Sequence, residues 1–286
     1  MTAGRAMRRA AGRVDARGRV AVAVIGAYLV LAIAAPLLIT PADLSAVGAP
    51  GAPHLPPSAR FPLGTDVYGR SMLAVTVWGT RVSLTVGLSA TAVAIGVGAV
   101  AGIVAGHFRG RLVAVLMHVT DWFLAMPTLV LAAVLTGVLR PGAGPVVLAI
   151  GLTSWPATAR LVRAQTLVVE AQPHVDRAKV LGAGHWHVIR HHVLAAVAPL
   201  IVVQASLTVS AAVLTEATLA FLGQADPIVV SWGTTLQQAR DAGSVSAGHW
   251  WILFPPGAAI VVLGLAFTEC GRAVQRALRV GPWEHP

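Results

Sequence analysis

Six runs of this 286-residue chain contain no Asp, Glu, Lys or Arg: residues 20–42, 82–108, 122–139, 141–159, 191–215 and 242–268. A bilayer core needs about 20 apolar residues as a helix, because each residue rises about 1.5 Å. Each run is long enough to cross. Charged residues make up only 11% of the chain, against about 25% in soluble domains. So little charge cannot cover a water-facing surface of this size, which excludes a soluble enzyme and a disordered chain. The single cysteine excludes an intrachain disulfide. The expected fold class is an all-α polytopic membrane protein with six transmembrane helices. They fall at about 20–40, 82–106, 116–139, 143–162, 196–218 and 250–271.

The net charge of +10 invites a nucleic-acid reading. The basic residues, however, are almost all arginines that flank apolar runs, the one lysine being Lys179. That pattern orients membrane helices, whereas a nucleic-acid face needs base-reading or stacking groups on a soluble surface. With the N-terminus inside, the inner segments hold Arg5, Arg8, Arg9, Arg13, Arg17, Arg19, Arg109, Arg111, the basic residues of 160–190, Arg272, Arg276 and Arg279. The split is 16 inside to 5 outside, which predicts cytoplasmic N- and C-termini. Trp78, Trp250 and Trp251 then fall at the outer interface. Arg8-Arg9 before the first run also fits a signal peptide. That run is longer than a typical signal core and more spans follow, so a retained first helix is the better reading.

Residues 40–70 carry Pro41, Pro50, Pro53, Pro56, Pro57 and Pro62. Such a chain is neither a helix nor a central strand, and it reads as an extracytoplasmic segment ordered only if it packs on something. Residues 222–248 form a second outer loop with a short helix near 234–240. The organisation is then an N-terminal unit, 1–70, and a transmembrane core, 78–280. No internal repeat with a period of 20–50 residues is present.

The inner segment after the fourth span is long and polar, and a long ordered loop usually has a task. From Val175 to Leu194 apolar residues alternate with basic ones, with glycines at 182 and 184. Two short helices broken at Gly182–Gly184 fit this pattern. An amphipathic helix outside the membrane needs a lipid surface or a partner's groove, and on the residues alone both remain open.

Asp176-Arg177-Ala178, then Gly182, then Val193-Leu194-Ala195 resemble the EAA loop of ABC-importer permeases. That pattern runs Glu-Ala-Ala, three residues, Gly, nine residues, then Ile-x-Leu-Pro or a close relative. Further motifs follow in order. Phe61-Pro62-Leu63-Gly64-Thr65-Asp66-Val67-Tyr68-Gly69-Arg70 resembles the HPLGTDxxGRD signature of the dipeptide/oligopeptide/nickel permeases. Arg81 to Gly87 is similar to ARxSLxVG, and Asp121 to Pro127 to DxxLAFP. Glu216 to Gly223 is similar to EAxLSFLG. The resemblance spans about residues 20–280. It departs at Asp176, one methylene shorter than Glu, at Arg177 for a small residue, at Pro173, and at Ala195 for proline.

The resemblance implies a type I ABC importer permease fold, of the subunit type in which a first helix and a proline-rich outer segment precede a five-helix core. It implies a coupling loop, 165–195, gripped by a cytoplasmic ATPase through Asp176, Arg177, Ala178, Gly182, Ala183, Trp186, Ile189, His192, Val193 and Leu194. It makes Gly64, Thr65, Asp66, Gly69 and Arg70 a family signature. The implied partners are a homologous permease subunit forming a heterodimer, two ATPase subunits or domains that bind ATP and Mg, and an extracytoplasmic solute-binding protein. Membrane lipid surrounds the chain. No nucleic-acid partner and no cofactor in this chain is expected.

No G-x-x-x-x-G-K-[ST] phosphate loop exists, since Lys179 lies between Ala178 and Val180. ATP hydrolysis therefore belongs to another chain. No zinc-protease or nucleophile-elbow motif is present either, so no catalytic residue is expected here. His185, His187, His191 and His192 cluster, and His187 and His191 share a helical face that suits a metal. No cysteine accompanies them, and a solvated face or partner contact is the favoured reading, with no metal site expected. Asp121, Glu216 and Glu269 lie near span ends. Asp121 and Glu216 either line the pathway or bond between helices, and the interhelical role is favoured. An ion-coupled transporter would need ionisable or unwound midplane sites in repeated halves, which the sequence lacks. Relatives of this kind carry dipeptides, oligopeptides, glutathione or nickel chelates.

Overall fold

The computed structural model describes residues 15–139 and 142–279. Arg5, Arg8, Arg9, Arg13 and the Arg140-Pro141 turn lie outside the described residues. Helix α1, Ala16–Leu38, starts at Asp15, whose carboxylate accepts the Gly18 N–H at 3.0 Å. Its flank is apolar and mostly exposed, with Val30, Ile33 and Leu37 among the outward residues. A helix apolar on all sides belongs in lipid or a core. Short α2, Pro41–Leu44, opens the proline-rich segment.

Helix α3, Met72–His107, starts well before the charge-free run at 82. Arg81 does not end it. The side chain leaves the helix surface, with its guanidinium 5.8 Å from the centre of the Trp78 ring. The expected third span is not one helix. α4, Arg111–Ala125, and α5, Thr128–Val138, meet at a 95° bend. Proline at 127 cannot donate and drives the preceding residue out of the helical region. Met126 is accordingly extended, at φ −91° and ψ 140°.

α6, Ala143–Glu170, runs on past the expected end at 162. α7, Pro173–Val180, and α8, His185–Val188, follow. A π turn over Ile189–Val193 leads without a break into α9, Leu194–Phe221. α10, Trp232–Asp241, lies in the second loop, and α11, Trp250–Arg279, closes the chain. Among the described residues the regular secondary structure is all helical, apart from one antiparallel bridge between Thr65 and Ser71. Five helices are long and apolar enough to cross a membrane, or six with the bent pair as one span. The chain is a multi-pass membrane protein.

The tightest helix pair is α3 against α6. A Cβ on Gly98 would stand 2.6 Å from the Thr158 Cβ, one on Gly102 2.6 Å from the Ala159 carbonyl oxygen, and one on Gly106 2.5 Å from the Thr166 Cβ. Small residues four apart let the two backbones touch, which is how helices associate where water offers no driving force. A central core of Leu84, Val213, Trp232, Leu263 and Phe267 joins α3, α9, α10 and α11. Trp232 is fully buried, and its indole N–H donates to the Thr76 carbonyl at 2.9 Å.

The two ends of the bundle differ. Arg276 of α11 reaches Asp15 before α1 at 3.2 Å, so the described chain ends sit together. The C-terminal ends of α3 and α6, with α7 and α8, lie at this same end. The proline-rich segment and α10 cap the other.

Candidate functional site

The segment after α6 is built to stop and restart. Pro173 occupies the first turn of α7, where a missing N–H costs nothing. Asp176 is exposed in that first turn, near the positive end of the helix dipole. The helix ends in a Schellman motif. The Ala183 N–H bonds the Ala178 carbonyl at 2.9 Å and the Gly182 N–H bonds the Lys179 carbonyl at 3.0 Å. Gly182 closes the motif at φ +90°, a conformation costly for any residue with a Cβ. Nothing lies within 4 Å of where that Cβ would be.

Two faces result. Val175, Val188 and Val193 are buried with Val162, Val169 and Val197 of the neighbouring helices, and Ala183 packs beside them. Val180 and Leu181 are each 87% exposed and Trp186 is 72% exposed. Arg177 is exposed, Leu194 is 43% exposed, and Ala178, Ile189 and His192 are half-buried. A bare apolar tip made of Val180, Leu181 and Trp186 thus projects from the end of the bundle that holds both described chain ends.

Polar bonds tie this segment back. Glu170, the last residue of α6, bonds Lys179 of α7 at 2.5 Å and His107, the last residue of α3, at 2.6 Å. The other nitrogen of His107 lies 2.9 Å from His185 Nδ1 at the start of α8. The sequence reading passed over His107 and Glu170, because 63 residues separate them. It also passed over the glycines at 98, 102 and 106, whose four-residue spacing was visible.

The signature residues at the opposite end form a closed buckle. Gly64, Thr65, Asp66, Gly69 and Arg70 are all buried. Arg70 Nε bonds Asp66 at 2.5 Å. Asp66 also accepts the Tyr68 and Arg70 backbone N–H groups at 2.9 and 2.8 Å. The Arg70 guanidinium donates onward to the Leu44 carbonyl at 3.3 Å and to Gln238 of α10 at 2.9 Å. Thr65 donates to the Ala52 carbonyl at 2.7 Å and accepts the Leu55 N–H at 2.8 Å. At Gly69, φ +86°, a Cβ would overlap the Gly51 carbonyl oxygen at 2.1 Å. The proline-rich segment is therefore ordered by packing on itself and on α10.

The other acidic candidates separate by environment. Glu216 is 3% exposed and accepts the Ser83 hydroxyl of α3 at 3.0 Å, an interhelical bond. It borders a cavity of about 20 Å³, with Ser231 and Thr234 also on its wall. Asp121 pairs with Arg160 of α6 at 2.7 Å, both half-exposed, and lines a cleft of about 370 Å³ between α4 and the α3–α6 pair. Glu269 bonds Arg272 at 2.8 Å on the surface of α11. On the histidine face, the His187 and His191 rings stack at 4.3 Å and His191 Nδ1 lies 3.1 Å from the His187 carbonyl oxygen. Among the described residues no group of three or more His, Cys, Asp or Glu side chains is placed to hold a metal ion.

A family model described as "Binding-protein-dependent transport system inner membrane component" matches residues 98–280. The chain is 36% identical to the probable D,D-dipeptide transport system permease protein DdpC of Escherichia coli K12, across 78% of this chain and 74% of that protein. It is 34% identical to the dipeptide transport system permease protein DppC of Bacillus subtilis, across 79% of this chain and 70% of that one. It is also 34% identical to the glutathione transport system permease protein GsiD of Pectobacterium atrosepticum, across 78% and 73%.

Proposed function

The chain belongs to the family of inner membrane components of binding-protein-dependent transport systems, and from that premise we propose that it forms half of the translocation pathway of an ABC importer for di- or oligopeptides. The relatives named for dipeptides support the solute class. The relative named for glutathione makes small peptide-like thiols the alternative cargo. The other half of the pathway is a homologous permease subunit, and a solute-binding protein delivers cargo to the outer face. Hydrolysis belongs to two ATPase subunits, which supply the nucleotide site that this chain lacks.

The observation that carries the reading is the bare tip of Val180, Leu181 and Trp186 beside a buried valine face. Exposed apolar groups on a short ordered segment suit a partner's groove. The arginine distribution supports a cytoplasmic position for that end. Closure of the ATPase pair on ATP pushes the tip, and the bundle exchanges between inward- and outward-facing arrangements as a two-state rigid-body transition.

Gly182→Asp is the test. The residue faces open space, so a new side chain leaves the interior intact, and the backbone strain is about 1–2 kcal/mol. The expected outcome is normal insertion and assembly with uptake abolished. Normal uptake by an inserted Gly182→Asp complex refutes the reading.

A further inference from the structure

Apart from the chain itself, which runs from α8 through the π turn into α9 without a break, the coupling segment is attached to the bundle in two physically different ways. Its valine face is buried in a groove, and burial of that kind has no direction and tolerates sliding. Its polar attachments are directional and few. Among the described residues, two side-chain hydrogen bonds join residues 173–188 to the preceding helices. One is Lys179 to Glu170, the other His185 to His107. The Glu170–His107 bond links the pair into one chain of four side chains.

Each member sits at a helix terminus: Glu170 ends α6, His107 ends α3, His185 starts α8, and Lys179 lies in the last turn of α7. A carboxylate at a helix C-terminus faces the negative end of the dipole, so position alone disfavours Glu170 there. Its two partners hold it in place. The Glu170 side chain is only 12% exposed and that of His107 only 2%, so water screens their bond weakly. Behind the relay stands the α3–α6 pair, locked by backbone contact over Gly98, Gly102 and Gly106.

We propose that Glu170 is a positioning residue for transport: by gripping Lys179 and His107 together it makes α7, α6 and α3 one rigid body, so that a push on the tip reaches the spanning helices undiminished. The inference rests on the coupling role of residues 165–195. Without the clip, α7 and the part of the tip that it carries, Val180 and Leu181, shift in the valine groove while α3 and α6 stay still.

The test measures rigidity directly. In the assembled transporter carrying Cys270→Ser, spin labels are placed at His174→Cys, exposed on α7 away from the bare tip, and at Val100→Cys, exposed on α3. The expected result is one narrow distance, equal in the nucleotide-free and the ATP–vanadate-trapped complexes. Glu170→Ala loses that single distance, and Lys179→Ala broadens it through a separate bond. Glu170→Gln keeps an oxygen for Lys179 and donates its amide N–H to His107 Nδ1 when that imidazole carries its proton on Nε2, so it stays close to the parent. A distance as narrow in Glu170→Ala as in the parent overturns the proposal. If Glu170→Ala fails to assemble, Lys179→Ala decides in the same way, and an unchanged distance there is equally fatal. Failure of the underlying reading looks different: Leu181→Cys in the otherwise unaltered transporter then forms no crosslink to an ATPase subunit.

Discussion

Arg70 shows how much one side chain can hold when it is buried. Its guanidinium satisfies a carboxylate, a backbone carbonyl and an amide at once, and both it and Asp66 are almost wholly removed from solvent. Removing one partner of a buried pair strands the other charge, at a cost of about 3–5 kcal/mol. Arg70→Ala is therefore expected to lower the thermal unfolding midpoint of the detergent-solubilised protein sharply. Asp66→Asn keeps one oxygen for the Tyr68 and Arg70 backbone N–H groups but turns an amide N–H toward Arg70 Nε and leaves that buried charge unpaired, so it should lower the midpoint too. Equal midpoints for Arg70→Ala and the parent protein would show that the buckle contributes nothing. The signature was visible in the sequence as a motif. Its physical task was not, because Gln238 lies 168 residues away and no local pattern points to it.

At the level of elements, α3 and α6 set the frame on which everything else hangs. A side chain at Gly102 would drive its Cβ to 2.6 Å from the Ala159 carbonyl oxygen, a backbone atom that cannot rotate away. Gly102→Leu should force the helices apart and destabilise the fold by about 1–3 kcal/mol, read as a lower midpoint in the same unfolding assay. Gly96→Leu is the control, since nothing lies within 4 Å of the position a Cβ would take there. If both substitutions behave alike, the close helix approach is unimportant. Apolar length alone made the spans readable, because charge is costly in lipid wherever the helix runs. Their ends were less readable, since Arg81 lies on a continuing helix whose surface has left the charge-free run. The bend at Met126–Pro127 was marked by its proline, but the 95° angle depends on how α5 packs on α6.

Across the whole molecule, the same chain presents two unlike ends. One gathers the described chain ends, the chain of side chains through Glu170 and the bare apolar tip. The other is a plate in which residues 45–71 and α10 are stitched by Arg70. The run of prolines marked one end as different in kind, although it could not say that the stretch would fold back on itself and on α10. Six prolines and many glycines ordinarily mark a chain open to proteases. Here the two arginines of the stretch meet opposite fates: Arg60 is exposed, whereas Arg70 is 4% exposed. Trypsin supplied to the plate's own side of sealed vesicles should nick after Arg60 and spare Arg70, and trypsin sealed within should do neither. Such a nick leaves the two fragments clamped together through their hydrogen bonds, so a severed loop would still hold its shape until a denaturant prised it open.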